Sequence, residues 1–356
     1  MKRAVIRVPK GSFVVETSNN IPVPPENGAI VKTKFCGICH SDLHMWEKEI
    51  VACPSVYGHE VSGELYALGD KAEIVNMNIG DNVMIYPWMG CGKCDECTED
   101  KDNLCNIRTH EVGCGADGGY SNYVSVPDTK FLIKVPDSIP MDVACLLPCS
   151  GVTTYSAIKK LRPYIEKIKR KSSVLIVGAG GLGLWCLQWA KICLPDRVKI
   201  VCADINMDKL KVASEHGADD VICWSTQKEE RLVSDEDITK ELMEKSNGGF
   251  DGVIDVVNSS MTSKRAFSAL KRNGTHVMIG LYEGSMSIPL RPMVLTMKRI
   301  LGSYVGSIQE LNELVKMIET RKVKPPPIIP YKLEEIETAW VALKSGKMPG
   351  RGVIRY

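Results

Sequence analysis

The chain has 356 residues, 44% of them hydrophobic and 25% charged, with 45 basic against 43 acidic side chains and a formal net charge of +2. That length is enough for two ordinary domains and a substantial core. The balanced charge argues against nucleic acid or an anionic membrane as the main partner.

The first residues, MKRAVIRVPKGSF, lack an apolar h-region and a small-residue cleavage site, so they read as a first strand and not as a signal peptide. No stretch reads as membrane-spanning. Fourteen cysteines in such a chain are then expected to be buried thiols or metal ligands in a reducing, cytoplasmic setting, not a disulfide framework.

Residues 1 to about 150 carry short β-type runs (AVIRV, AIVKTKF, EVSGELYAL, DNVMIYP, YSNYVSV, KFLIKVP) separated by Gly, Pro, Asn and Asp clusters. This predicts a mainly β, barrel-like domain. Three segments within it carry chemistry. CGICHSDLH (36–44) crowds two cysteines, two histidines, a serine and an aspartate into nine positions. GHE (58–60) offers His59 with Glu60 beside it. CGKCDECTEDKDNLC places Cys91, Cys94, Cys97 and Cys105 in a C-x2-C-x2-C-x7-C arrangement. Four thiolates at that pitch can close a tetrahedral site, with no position left open for substrate. A structural zinc is the simpler occupant, because the acidic, surface-like loop suits an iron–sulfur cluster less well.

A catalytic zinc needs about three protein ligands and one open position. Cys39, His59 and Cys149, the last in LLPCSGVTTY, are candidates. Spacing alone does not decide whether they converge or remain packed side chains.

From residue 151 helical stretches alternate with buried strands, which predicts βαβ units and a parallel sheet. SSVLIVGAGGLGLWCLQWA reads as strand, turn and helix. Gly178, Gly180 and Gly183 fit G-x-G-x-x-G, with Gly181 among them, and the following helix N-terminus offers N–H groups to a pyrophosphate. Asp204 ends the next strand, VKIVCAD, 21 residues after Gly183, with Ile205 following it. A carboxylate there accepts hydrogen bonds from a ribose 2′-OH and repels a 2′-phosphate, so NAD is favoured over NADP. The alternative is an aspartate that only caps the next helix. After about residue 303 come two helices, IQELNELVKMIETRK and LEEIETAWVALKSG, joined by the Pro-rich connector VKPPPIIPY and followed by a terminal strand, GVIRY.

Taken in order, CGICHSD, GHE, the four-cysteine lobe, LLPCSGVTTY, VGAGGLG and Asp204 resemble the zinc-dependent medium-chain alcohol dehydrogenases over essentially the whole chain. YPWMGCGKC, PCSGVTTY and DVVNSS are similar to the tetrameric NAD-dependent enzymes of archaeal and bacterial type, which accept primary and secondary alcohols. The resemblance implies an α/β fold in two parts. A GroES-like catalytic domain would span 1–150 and 304–356, with its structural zinc lobe at about 88–106, and a Rossmann NAD-binding domain would span 151–303.

The resemblance also implies roles for individual residues. Cys39, His59 and Cys149 would hold a catalytic zinc, with Glu60 behind it or joining it transiently when the fourth ligand leaves, and Asp42 would fix the tautomer of His59. Ser41 would hydrogen-bond the alcohol and begin a proton relay, through the nicotinamide ribose, to His44. His40 and Arg351 would lie near the pyrophosphate, Lys209 near the adenosine ribose and Thr153 beside the nicotinamide. The segment MSIPLRPMVLTMKRILGSYVG would supply an edge strand for a homodimer or, by preference, a homotetramer.

The implied activity is reversible oxidation of primary or secondary alcohols to aldehydes or ketones, with NAD and two zinc ions per chain. Within enzymes the alternatives are a polyol dehydrogenase or a zinc-dependent reductase of activated carbonyls. Outside them it is a catalytically silent zinc- and NAD-binding subunit, disfavoured because every ligand and relay position is filled. Only 19 residues separate Cys39 from His59, where such relatives often carry a longer insertion, so the substrate range does not follow from the resemblance.

Cys36 reads as a packed thiol and not as one half of a redox pair with Cys39. Cys53, Cys114, Cys145, Cys186, Cys193, Cys202 and Cys223 read as buried thiols. His110, His216 and His276 have no partner pattern. Trp46 and Trp88 fit either a substrate cleft or core packing.

Overall fold

The computed structural model describes all residues except 108–110, 226, 229, 230 and 233, and gives 227, 228, 231, 232 and 235 by backbone alone. His110 therefore lies outside the described residues. The chain divides into two compact units. One comprises Met1–Val152, Gly306–Lys322 and Pro326–Tyr356; the other comprises Thr153–Val305 and Val323–Pro325.

The first unit is built on a seven-stranded sheet in the order Ile328–Tyr331, Arg351–Arg355, Ala29–Gly37, Glu60–Leu68, Asn82–Ile85 and Leu132–Lys134, with Tyr123–Val126 also pairing on Ala29–Gly37. The long strands Ala29–Gly37 and Glu60–Leu68 pair antiparallel, and their register shifts twice, between Ile30 and Val31 and between Thr33 and Phe35. Bulges of this kind bend a sheet towards closure. The Pro-rich connector is not wholly irregular, because Ile328–Tyr331 pairs parallel with Arg351–Arg355. Pro330 is tolerated there because the strand lies at the edge of the sheet.

The second unit holds six parallel strands in the order Asp220–Cys223, Val198–Asp204, Ser172–Val177, Phe250–Asp255, Leu270–Met278 and Arg299–Gly302. Numbered along the chain this is 3-2-1-4-5-6, the doubly wound dinucleotide-binding order. Ser172–Val177 is buried at every position, as expected of a central parallel strand covered on both faces. The core combines strand residues Leu175, Val177, Val201, Ile222, Phe250 and Val253 with helix residues Ile238, Leu242 and Ala266. No helix among the described residues is long and apolar enough to cross a membrane.

Four of the cysteines read as buried, Cys53, Cys114, Cys193 and Cys223, are only half-buried. Cys193 ends a helix and Cys223 ends an edge strand, where one side of the chain faces solvent. Cys36, Cys145, Cys186 and Cys202 are buried, and burial pushes each thiol above its ordinary pKa.

His276 lies inside the parallel sheet, fully buried, between Val253 and Ile300 on the neighbouring strands. Neither ring nitrogen finds a hydrogen-bond partner among the described residues, and burial lowers its pKa from 6.5 to about 4. Between those values His276 binds a proton in the unfolded chain and not in the folded one, so this residue's contribution to stability falls as the pH drops through the window. The expected loss is up to about 3 kcal/mol. Glu60, held at about 7 in the folded chain, acts in the opposite sense over much of this window, so the test is a difference: urea unfolding between pH 7 and pH 4 should give slopes for the native chain and His276→Leu that differ by one proton. Equal slopes would contradict it.

Candidate active site

Register brings the distant motifs together. Gly37 stands opposite Glu60 in the antiparallel pair, so Cys39, just past one strand end, and His59, just before the other, emerge at the same end of the sheet. On the other flank Gly37 faces Val353, which places Arg351 at that end too. A Cβ on Gly37 would lie 2.0 Å from Glu60 Oε2, so glycine is what leaves room for the carboxylate.

Cys39 is the N-cap of the helix His40–Glu47, and Asp42, in its first turn, accepts from the Cys39 backbone N–H at 3.4 Å. The other Asp42 oxygen is 2.8 Å from His59 Nδ1. Both residues are fully buried. With Nδ1–H donating to the carboxylate, Nε2 is left as the lone-pair donor, and it lies 3.3 Å from Cys149 Sγ.

Cys149 sits on a π-helical turn, Leu147–Gly151, closed by Gly151 N–H donating to Leu146 O. Such turns are rare and occur frequently at functional sites. Trp88 braces this turn: its indole N–H donates to Pro148 O at 3.0 Å, and its ring lies tilted on His59 with centroids 5.4 Å apart.

The donor atoms of Cys39, His59, Glu60 and Cys149 all lie within 4.8 Å of one another, and all four residues are buried. Around a tetrahedral zinc with ordinary bond lengths, a nitrogen and a sulfur ligand stand about 3.6 Å apart, close to the observed separation. The donor groups perturb one another strongly, and of Cys39, His59 and Cys149 only Cys39 is shifted towards the form that binds metal. The hydrogen bond from Cys149 draws the Cys39 thiol well below its ordinary pKa despite burial, with His59 and Arg351 acting in the same sense, and Cys149 is raised in turn. Burial opposes a charged His59, yet Asp42 and Cys149 hold its pKa well above 6.5.

Glu60 is fully buried and its pKa is pushed by burial up to about 7, against the pull of Arg351. Arg351, itself buried, donates through Nη2 to Glu60 Oε2, while Glu60 Oε1 has no partner among the described residues. The arginine implied as a phosphate contact is therefore engaged with the carboxylate behind the candidate metal.

In the second cluster Cys91 Sγ and Cys97 Sγ are 4.0 Å apart and Cys94 Sγ and Cys105 Sγ 3.8 Å apart. Four thiolates around zinc would be separated by about 3.8 Å. Backbone N–H groups of Lys93 and Cys94 lower the Cys91 thiol to about 6, whereas Cys94 is raised to about 12 and burial raises Cys97, so the four thiols share their protons unequally.

In the parallel unit Gly178 has φ +101° and follows Ser172–Val177 directly. A Cβ on Gly183 would lie 1.8 Å from Gly178 O, whereas one on Gly180 would meet nothing within 4 Å. The first contact requires glycine for packing; the second leaves open space at the N-terminus of the helix Gly181–Cys193, the room a pyrophosphate needs. Asp204 accepts from Ala179 N–H at 2.7 Å and from Asn206 N–H at 2.9 Å. Asn206, not Asp204, caps the helix Met207–Glu215 by accepting from Asp208 and Lys209 N–H. Thr153 is buried and belongs to this unit.

Ser41 is half-buried, its hydroxyl 3.6 Å from Cys39 Sγ. His40 is exposed, and its ring centroid lies 6.4 Å from that of His44 one turn later. Trp46 is held elsewhere: its N–H donates to Gly11 O and its ring packs edge-on against Trp340. The sequence reading missed Tyr120, whose hydroxyl donates to Asp42 Oδ2 at 2.9 Å; no spacing rule links residue 120 to residue 42.

Removing one partner of a buried ion pair leaves an uncompensated charge and costs about 3–5 kcal/mol. Arg351→Met should therefore lower unfolding stability by about that amount, and the double variant Arg351→Met with Glu60→Gln should recover most of it. Chemical denaturation checks this; a double variant no more stable than the single one would contradict it.

Comparison with known proteins places this geometry. The family model of the alcohol dehydrogenase GroES-like domain matches residues 25–137, and that of the zinc-binding dehydrogenase matches residues 181–320. An NAD-dependent alcohol dehydrogenase of Sulfurisphaera tokodaii is 32% identical over 94% of this chain and 95% of its own. One of Saccharolobus solfataricus is 32% identical over 99% of each. The solved alcohol dehydrogenase of Aeropyrum pernix superposes with a TM-score of 0.87 at 27% identity, covering all of both chains. With two full-length relatives above 30% identity and both domain models in place, the chain belongs to the zinc-dependent medium-chain alcohol dehydrogenase family.

Proposed function

We propose that this chain catalyses the reversible, NAD-dependent oxidation of primary or secondary alcohols to aldehydes or ketones. The observation that carries the reading is the convergence of Cys39, His59 and Cys149, buried, with His59 Nδ1 held by Asp42. Three protein donors and one open position are the pattern of a catalytic zinc, while the four-cysteine lobe is closed. Zinc bound there supplies Lewis acidity that lowers the pKa of an alcohol, and bound NAD supplies a hydride acceptor.

The chain's own residues have distinct parts in this reading. Cys39, His59 and Cys149 hold the metal, and Asp42 keeps the Nδ1 proton of His59 in place. Ser41 Oγ takes the hydroxyl proton of the substrate only as it gives up its own, which makes it the first member of a proton relay, and His44 is the end of that relay that exchanges with solvent. Glu60 and Arg351 set the charge behind the metal. Gly178, Gly180, Gly181 and Gly183 make the phosphate cradle, with His40 at the phosphates. Thr153 lies at the nicotinamide and Lys209 at the adenosine ribose. Asp204, with two oxygens anchored by backbone N–H groups, presents its remaining lone pairs to the ribose 2′-OH and repels a 2′-phosphate.

A homodimer or homotetramer is part of the proposal. Leu290, Val294, Leu295 and Met297 are exposed beside the outermost strand Arg299–Gly302, an apolar surface next to an unpaired edge.

The test is NAD reduction over a panel of primary, secondary, allylic, benzylic and polyol substrates, run beside NADP. Native protein should reduce NAD with simple alcohols and discriminate against NADP, and Asp204→Gly should narrow that discrimination at least tenfold. A preparation with both metals bound but no turnover on any alcohol or carbonyl would favour the silent-subunit reading. Light scattering should give two or four chains per particle; a single chain would remove the oligomer.

A further inference from the structure

Asp42 is the only charged group that holds His59 by its Nδ1 side among the described hydrogen bonds, so what fixes Asp42 fixes His59. A fully buried carboxylate needs donors on both oxygens. Oδ1 faces His59, and Oδ2 accepts from the Tyr120 hydroxyl at 2.9 Å and from the Cys39 N–H only at 3.4 Å. The tyrosine therefore supplies the one short bond to that oxygen.

Its own position is over-determined. Gly118, Gly119 and Tyr120 donate from their backbones to Val56, Gly58 and Tyr57, the stretch that leads directly into His59. The Tyr120 ring packs edge-on to Phe13. A Cβ on Gly58, which has φ +96°, would lie 2.7 Å from Tyr120 Cδ1. The ring thus lies against the backbone that delivers His59 while its hydroxyl reaches round to the carboxylate on the far side of the imidazole.

We propose that Tyr120 is a positioning residue for the metal centre: through Asp42 it sets the orientation of His59 and its strength as a ligand. Losing the hydroxyl leaves the ring packing in place but frees the Asp42 carboxylate to turn about its Cβ–Cγ bond. The His59 Nδ1–H then loses its fixed acceptor. Removal of groups behind a metal ligand typically weakens metal binding 10- to 100-fold, and Tyr120 acts one bond further out. The lower end of that range, about tenfold, is the expectation. The inference rests on Cys39, His59 and Cys149 holding a metal.

The experiment follows zinc release from the full chain into a chelator, with the four-cysteine site as internal reference, for native protein and Tyr120→Phe. Native protein must first show two zinc ions per chain; if it does not, the reading of the metal site fails rather than this inference. Given two, Tyr120→Phe should lose one zinc about tenfold faster and the other at the native rate. Cobalt substituted at the mixed-ligand site should show a shifted visible spectrum. In an Asp42→Asn background the same change should add little, because the connection is already broken. Native rates and spectrum in Tyr120→Phe would overturn the proposal. So would equal acceleration at both sites, which marks general loosening. Should Tyr120→Phe not fold, Asp42→Asn alone must show the selective release, and its absence would overturn the proposal equally.

Discussion

The site depends first on one register: Gly37 opposite Glu60 in an antiparallel strand pair, with Val353 on the other side of Gly37. Antiparallel neighbours bring residues close in space that are far apart in sequence, and a one-residue slip would turn every side chain to the opposite face. With this register Cys39, His59, Glu60 and Arg351 all arise at one end of the sheet. Cys149, far along the chain, is delivered by the π-helical turn that Trp88 holds by Pro148 O.

The second constraint is charge burial. Asp42, His59 and Glu60 are fully buried and Arg351 nearly so, and ionisable groups without water must find partners or change protonation state. Asp42 is satisfied by His59, Tyr120 and Cys39, and Glu60 by Arg351 on one oxygen only. Buried pairs of this kind are a weak source of net stability. Perturbed groups concentrated in one place are characteristic of functional sites. In the parallel unit the requirement is steric instead, because Gly183 has no room for a side chain where Gly180 does.

Much of this was legible in the sequence. The four cysteines have a spacing short enough to close a metal site locally, and strand, glycine turn, helix and Asp204 follow one another within a single βαβ unit. Both signals are local, so pattern alone carries them. The convergence of Cys39, His59 and Cys149 is set by strand register and a π-turn, which no spacing encodes, and there the residues needed the family resemblance. Tyr120 was hidden because it joins Asp42 across 78 positions by a side-chain hydrogen bond from a loop to a helix, which no local pattern encodes. The Glu60–Arg351 pair was missed because each residue was assigned to a different partner. Trp46 and Trp88 look alike in sequence, yet Trp88 braces the site whereas Trp46 packs on Trp340.

The central claim is that the chain holds two zinc ions in chemically different sites, one closed by four thiolates and one formed by Cys39, His59 and Cys149. Anomalous X-ray scattering on either side of the zinc absorption edge, from crystals of the full chain, tests it directly. The account predicts two peaks per chain, one among Cys91, Cys94, Cys97 and Cys105 and one within bonding distance of Cys39, His59 and Cys149. A peak only in the four-cysteine lobe, from zinc-replete protein, would contradict it.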